Sequence, residues 1–120
     1  MRDDVKIWWK QAETDLKAAE NSFKSKDYYA CAFWCQQAVE KALKGLLIKR
    51  KNTFPKVHDL TKLAKLNNTP LEIIKLCAKL NPAYTASRYP DAPIKYTKED
   101  CKKIIKYSQE ILKWIKKNIY

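Results

Sequence analysis

The chain has a single glycine in 120 residues, and the dipeptides that close β-hairpins are missing from it. Apolar residues instead recur at intervals of three and four, which is the spacing of one helix face. The sequence therefore predicts an all-α fold, a four-helix up-and-down-type bundle with an additional short helix. The length suits one domain covering residues 1–120, and the 46% hydrophobic content suffices for one core.

The predicted helices cover residues 3–23, 28–51, 59–66 and 69–80, and a last helix opens at Thr97. Asp27 is the predicted N-cap of the second helix. Thr69 is expected to cap the fourth helix in a capping box with Glu72. Residues 81–95 hold three prolines and predict an ordered loop. Inside the second helix, Gly45 predicts the close approach of a neighbouring helix, with a ligand contact as the alternative.

Positive charge is concentrated in the C-terminal two thirds of the chain. Residues 1–40 hold six basic and seven acidic residues, a net charge of −1, whereas residues 41–120 hold 19 and six, a net charge of +13. Such a field attracts phosphate polyanions or an acidic protein partner; a lysine-rich solvated surface is the alternative. The last helix shows the same ambiguity, because one of its sides is a stripe of lysines that indicates a phosphate-contacting ridge or a solvated face: Lys102, Lys106, Lys113 and Lys117.

Several functional classes have no support in the sequence. No apolar run approaches the ~20 residues that span a bilayer, and the acidic N-terminus lacks a secretory signal, so we expect a cytoplasmic protein without membrane association. The four cysteines form no C-x-x-C pair and accompany one histidine, which argues against a zinc site. We expect buried thiols, with an inter-helix disulfide as the alternative. No metal or other cofactor is predicted.

Two residues outside the regular helix pattern are candidates for ligand binding. His58 lies where a loop meets a helix, so either His58 or Asp59 caps that helix, or His58 faces a cleft with Glu40 or Arg88 and binds phosphate. Arg88 lies between aromatic residues, where it anchors the loop, for example on Asp91, or grips a phosphate and stacks on a base.

The second helix carries a polar run inside an apolar sequence. Gln36, Glu40 and Lys44 fall on one face, and Gln37 and Lys41 lie on the adjacent one. Glutamate–lysine pairing within the helix is one interpretation. A two-fold interface is the other, because buried glutamine amides need partners and can pair across a dyad.

Taken together, these segments resemble the HEPN domain (higher eukaryotes and prokaryotes nucleotide-binding domain) over about residues 5–115. The matching pieces are Trp9-x-x-x-Ala-x-x-Asp15-Leu16, Tyr28-x-x-Ala-x-Phe-x-x-Gln36-Gln37-Ala38-x-Glu40-Lys41-Ala42-Leu43-Lys44, His58-Asp59-Leu60 and Tyr84-x-x-x-Arg88-Tyr89-Pro90. The resemblance implies a bundle of four to five helices that commonly forms homodimers. It also implies association with nucleotide or RNA, and partnership with a separate nucleotidyltransferase chain in a toxin–antitoxin-like pair.

Several proteins of that family are metal-independent ribonucleases with an Arg-x(4–6)-His motif, and this sequence departs from it. The three positions where the histidine would follow Arg88 hold Pro93, Ile94 and Lys95. The expectation is therefore a non-catalytic module, with a metal-independent ribonuclease using His58 or Tyr96 as the alternative. A bundle that binds only an acidic protein is a further hypothesis.

The expected roles divide the candidate residues into three sets. Phosphate binding is assigned to Arg88, His58 and Lys44. Base stacking is assigned to Tyr84, Tyr89 or Tyr96. A cleft wall or an interface is assigned to Gln36, Gln37, Glu40 and Lys41.

Overall fold

The computed structural model describes residues 1–91 and 95–120, and these residues form six helices and no strand. The helices are α1 (Asp3–Lys24), α2 (Tyr28–Lys51), α3 (Leu60–Leu66), α4 (Leu71–Leu80), α5 (Pro82–Arg88) and α6 (Lys98–Ile119). The predicted all-α bundle is confirmed: α1, α2, α4 and α6 form the bundle, and α3 and α5 are two short helices where the sequence predicted one. None of the described helices is both long enough and apolar enough to cross a membrane.

Helix α2 is the centre of the bundle and packs against each of the other five helices. Its core side chains include Leu43, Leu46 and Leu47, which are almost fully buried. Because neighbours surround α2, residues on its polar face are buried as well, among them Gln36, Glu40 and Lys44. The polar run of the sequence is therefore an internal feature of the fold.

The approach of α1 explains Gly45. A Cβ atom at this position would lie 3.1 Å from the Cβ of Trp8 and 3.5 Å from Cδ1 of Ile119. The predicted close approach of a neighbouring helix is confirmed, because α1 packs so closely against the α2 backbone that a Cβ atom at Gly45 would require Trp8 to move by a few tenths of an ångström.

Three of the helix starts test the capping predictions. Asp27 accepts a hydrogen bond from the Ala30 N–H, as predicted, and Thr97 forms a capping box with Asp100 at the start of α6. The box predicted at Thr69 is wrong. Pro70 is the N-cap of α4, and the buried hydroxyl of Thr69 has no hydrogen-bond partner among the described residues. The reason is that the Thr69 N–H bonds back to Ala64 O at 3.1 Å, which ties Thr69 to the end of α3.

The ordered loop predicted over residues 81–95 is wrong in its first half, which forms α5. Proline suits the first turn of a helix because that turn leaves N–H groups without intrahelical partners, and Pro82 lies at this position in α5. No further helix breaker occurs before Pro90. The sequence-based assignments at Pro93 and Ile94 lie outside the described residues.

The four cysteines are buried thiols with no disulfide, as the sequence predicted. They line the interior as small apolar side chains. Cys101 Sγ lies 3.2 Å from the Tyr28 carbonyl oxygen and so links the first turns of α6 and α2.

Candidate functional site

Glu40 of α2 is the centre of a buried polar cluster. Glu40 is only 5% exposed, and its carboxylate contacts three groups. Oε2 accepts a hydrogen bond from Lys44 Nζ at 3.1 Å, while Oε1 accepts one from Gln36 Nε2 at 3.2 Å. His58 Nδ1 lies 3.0 Å from the same Oε1. A buried carboxylate needs such partners, because an unpaired charge away from water is costly.

The three polar residues predicted to share one face of α2 do share it, but this face is buried rather than exposed to solvent. Gln36, Glu40 and Lys44 follow one another at intervals of four residues and are covered by the segment that leads into α3. Gln36 Nε2 also donates to the His58 carbonyl oxygen at 3.4 Å, and Gln37 Nε2 donates to Gln36 Oε1 at 2.7 Å. The buried amide of Gln36 thus finds its partners within the chain.

His58 joins this cluster to the surface. Asp59 accepts hydrogen bonds from the N–H groups of Thr61 and Lys62, so Asp59 is the cap of α3 and His58 is left to face Glu40. The His58 side chain is 46% exposed. Its ring stacks on Tyr84 of α5, with ring centroids 4.5 Å apart and planes inclined by 15°.

Arg88 contacts the same aromatic ring. Its guanidinium carbon lies 4.4 Å from the centroid of the Tyr84 ring, which is a cation–π contact. Within the described residues no ion pair joins Arg88 to Asp91. We call the three side chains of Arg88, Tyr84 and His58 the aromatic column. It brings together an exposed cation and a histidine that are 30 residues apart in the sequence.

Other predicted site residues lie elsewhere or play a different part. Lys44 is 5% exposed and lies between Glu40 and the ring of Phe54, whose centroid is 5.3 Å from Nζ. The structure therefore places Lys44 as the partner of Glu40 rather than at the surface. Lys41 points away from the cluster and pairs with Asp15 of α1. Sequence reasoning did not identify Asp15 as this partner, although it lies in the quoted α1 motif.

The two other tyrosines that were assigned to base stacking are Tyr89 and Tyr96. Tyr89 follows α5 and is exposed. Tyr96 lines a cavity of about 360 Å³ between α4 and the start of α6, together with Lys79, Lys103 and Tyr107. Burial raises the pKa of Tyr96 to about 12, so its phenol stays protonated at neutral pH.

No set of three or more histidine, cysteine, aspartate or glutamate side chains in residues 1–91 and 95–120 could hold a metal ion. The aromatic column and its neighbour Glu40 provide three chemical groups. These are a guanidinium with directed N–H donors, an aromatic face, and an imidazole held by a carboxylate.

Comparison with known proteins agrees with the helical architecture. Fold and site together define an all-α bundle of the HEPN type, and the family model described as "HEPN domain" matches residues 5–119. The chain belongs to the HEPN domain family.

Three relatives show how far the likeness extends. A protein named "Putative toxin MJ1304" from Methanocaldococcus jannaschii is 27% identical over 130 aligned positions, which cover 93% of this chain and 86% of the relative. The crystal structure of ST0689, an archaeal HEPN homologue, is similar with a TM-score of 0.84 and 34% identity, over 99% of this chain and 100% of that one. The crystal structure of TT1696 from Thermus thermophilus gives a TM-score of 0.88 and 27% identity, over 98% and 99% of the two chains.

Proposed function

We propose that this HEPN protein binds the phosphate groups of nucleotides or RNA at the aromatic column. The observation that carries the proposal is the shared contact of Arg88 and His58 with Tyr84. The Arg88 residue is exposed, and the planar N–H donors of a guanidinium match phosphate oxygens. A base can stack beside it on the exposed part of the column.

Glu40 sets the chemistry of His58. With Glu40 ionised, its carboxylate only accepts hydrogen bonds, so the contact at 3.0 Å favours the His58 tautomer that carries the ring proton on Nδ1. Nε2 is then the nitrogen that meets a ligand. It accepts a hydrogen bond from a hydroxyl in the neutral ring and donates one to a phosphate oxygen in the protonated ring.

The proposed role is binding without catalysis, in a homodimer that acts with a separate nucleotidyltransferase chain. The missing Arg-x(4–6)-His spacing supports the absence of catalysis. The likeness to a protein named as a toxin supports a toxin–antitoxin-like pair. Co-expression with the protein encoded by the adjacent reading frame, followed by co-purification and sizing, tests the partnership; a chain that elutes alone as a monomer contradicts both assemblies.

The binding site is tested by titrating labelled ATP and a short RNA into the wild-type protein and into Arg88→Ala. Hydrogen bonds to a charged group contribute about 1.5–3 kcal/mol, so Arg88→Ala should weaken binding by about 10-fold to 100-fold. Lys6→Ala is the matched control, because it removes one exposed positive charge from α1. Equal affinity of wild type and Arg88→Ala refutes the proposed site.

The Glu40–His58 contact favours a second candidate, a metal-independent ribonuclease. His58 Nε2 would accept the 2′-hydroxyl proton as that oxygen attacks phosphorus, while Arg88 holds the phosphate. The P–O5′ bond breaks in the same step, which leaves a 2′,3′-cyclic phosphate, and the departing 5′-oxygen takes a proton from the His58 imidazolium or from water. Tyr96 is unsuited to this role because its phenol stays protonated and lies outside the column. RNA cleavage in EDTA that is lost in His58→Ala, and that shows a shifted pH profile in Glu40→Gln, would select this candidate. Intact RNA after incubation would exclude it.

A further inference from the structure

A basic surface lies on the N-terminal half of α6, apart from the aromatic column. It begins at the cavity of about 360 Å³ described above, whose lining includes Lys79, Lys95 and Lys103. A second cavity of about 390 Å³ also lies on α6, and its lining includes Lys102, Lys103 and Lys106. Lys103 lines both cavities, so they form one surface, which we call the α6 groove.

Among the described residues, the carboxylates near these lysines include Asp100, Glu99 and Glu20, and Glu20 accepts a hydrogen bond at 3.1 Å from Gln109, which lines the second cavity. Asp100 is the acidic residue that lines the first cavity, and its carboxylate accepts the Thr97 N–H in the capping box. Glu99 lies 3.6 Å from Lys102, in a contact between two exposed side chains that contributes little. The groove therefore keeps a surplus of positive charge.

The floor of the first cavity is aromatic. Tyr107 carries the ammonium group of Lys79 at 4.9 Å from its ring centroid, and Tyr96 supplies a second ring. Lysines interleaved with tyrosine rings suit a ligand with phosphates and flat bases, whereas an acidic protein needs only the charge. The cavity volume is also within the range of small-molecule sites.

The spacing of the lysines fits an extended polyanion. Residues three and four apart on a helix lie about 5–6 Å from each other at Cβ, so Lys102 or Lys103 and Lys106 can contact successive phosphates. Helix α5 begins at the first cavity with Pro82 and carries Tyr84 and Arg88 on a different face, so the groove and the column are separate surfaces.

We propose that the α6 groove binds the backbone of single-stranded RNA and stacks one of its bases on the tyrosines of the first cavity. The groove shares the ligand class of the proposed function but none of its residues. A mononucleotide that is held by Arg88 does not need the groove. An oligonucleotide gains affinity from each lysine that it contacts, and this part of the affinity depends on salt.

The test uses the full chain with a labelled 12-nucleotide RNA and with labelled ATP, each titrated at several salt concentrations. The variant carries Lys79→Gln, Lys103→Gln and Lys106→Gln. The control carries Lys6→Gln, Lys10→Gln and Lys17→Gln, which remove the same charge from exposed positions of α1. Circular dichroism confirms that both variants are folded.

We expect the groove variant to bind the RNA at least about tenfold more weakly and to lower the salt slope by about 2, since each lost contact to a single strand removes about 0.7. The α1 control should stay within about threefold of wild type, and ATP should bind the groove variant as it binds wild type. Equal RNA affinities and salt slopes for the groove variant and the control overturn the proposal. Polyglutamate that competes with the RNA at equal charge also overturns it, because the partner would then be recognised by charge alone.

The two proposals fail separately. Arg88→Ala reports on the column through ATP, and the groove variant reports on α6 through the salt slope of RNA binding. Loss of RNA binding in the groove variant with unchanged ATP binding in Arg88→Ala would retain the groove and refute the column. The reverse pattern would retain the column.

Discussion

The buried ion pair of Glu40 and Lys44 gives the sharpest prediction about stability. Glu40→Leu replaces the carboxylate with an apolar group of similar size and leaves the Lys44 ammonium, whose side chain is 6% exposed, without its counter-charge. Breaking a buried pair from one side costs about 3–5 kcal/mol, because a buried charge stays uncompensated. Gln36 and His58 also lose their acceptor.

The size of the loss in the free energy of unfolding distinguishes a buried ion pair from a surface pair. The free energy of unfolding of a single domain is about 5–15 kcal/mol, so the expected loss is a large share of the total stability. Replacing both partners, in Glu40→Leu with Lys44→Met, removes both charges and should restore the stability to within about 1 kcal/mol of wild type. An exposed carboxylate serves as control, since Glu13→Gln should change the stability by no more than about 0.5 kcal/mol.

Urea unfolding at pH 7, followed by circular dichroism, measures these differences. The slope of the free energy against urea should be unchanged in each variant, so that the midpoints report stability. A loss below about 1 kcal/mol in Glu40→Leu would show that Lys44 reaches water and is not buried. A double variant that is as unstable as Glu40→Leu would show that the hydrogen bonds to Gln36 and His58, rather than the ion pair, carry the effect.

Three further predictions concern other parts of the bundle. Gly45→Ala should lower the free energy of unfolding by about 1 kcal/mol in urea titrations, because overpacking against the Trp8 Cβ costs more than the gain in helix propensity; increased stability would contradict this. The Thr97 N–H lowers the pKa of Asp100, so this carboxylate stabilises the fold above about pH 4 and ceases to do so as the pH falls through the lowered pKa. Asp100→Asn should therefore be less stable than wild type at pH 6 but not at pH 2, and a constant difference would refute the cause. Burial raises the pKa of the Cys77 thiol to about 12, and all four cysteines should react with Ellman's reagent only after denaturation; rapid reaction of the native protein would contradict their burial.

The sequence was sufficient for the long helices because their signals are local. Apolar periodicity and the side chains of Asp27 and Thr97 determine where α2 and α6 start, and both starts are as predicted. The error at Thr69 has a local origin, since the Thr69 N–H bonds to Ala64 O five residues earlier and so completes the C-terminal end of α3. The error at α5 comes from counting prolines without their positions, because Pro82 favours the start of a helix.

Side-chain partners were harder to predict than helices, because they depend on which faces meet. Spacing put Glu40 and Lys44 on one face of α2, but it carried no information that this face is buried. An exposed ion pair contributes little to stability, whereas in a buried pair the loss of either partner leaves an uncompensated charge and is strongly destabilising. The partner of Lys41 was missed for the same reason, since Asp15 is brought to it only by the packing of α1 on α2.

The same reasoning bears on the missing Arg-x(4–6)-His spacing. In the family's ribonucleases this spacing allows a guanidinium and an imidazole to reach the same phosphate. In this chain His58, from the start of α3, and Arg88, from the end of α5, both contact the ring of Tyr84. The missing spacing therefore argues against a ribonuclease site built from one Arg-x(4–6)-His segment. The Glu40–His58 contact nevertheless orients an imidazole that shares the Tyr84 ring with Arg88. Whether that imidazole only binds or also moves a proton is what the pH profile of Glu40→Gln decides, because loss of the carboxylate changes the preferred tautomer of His58 without removing its ring.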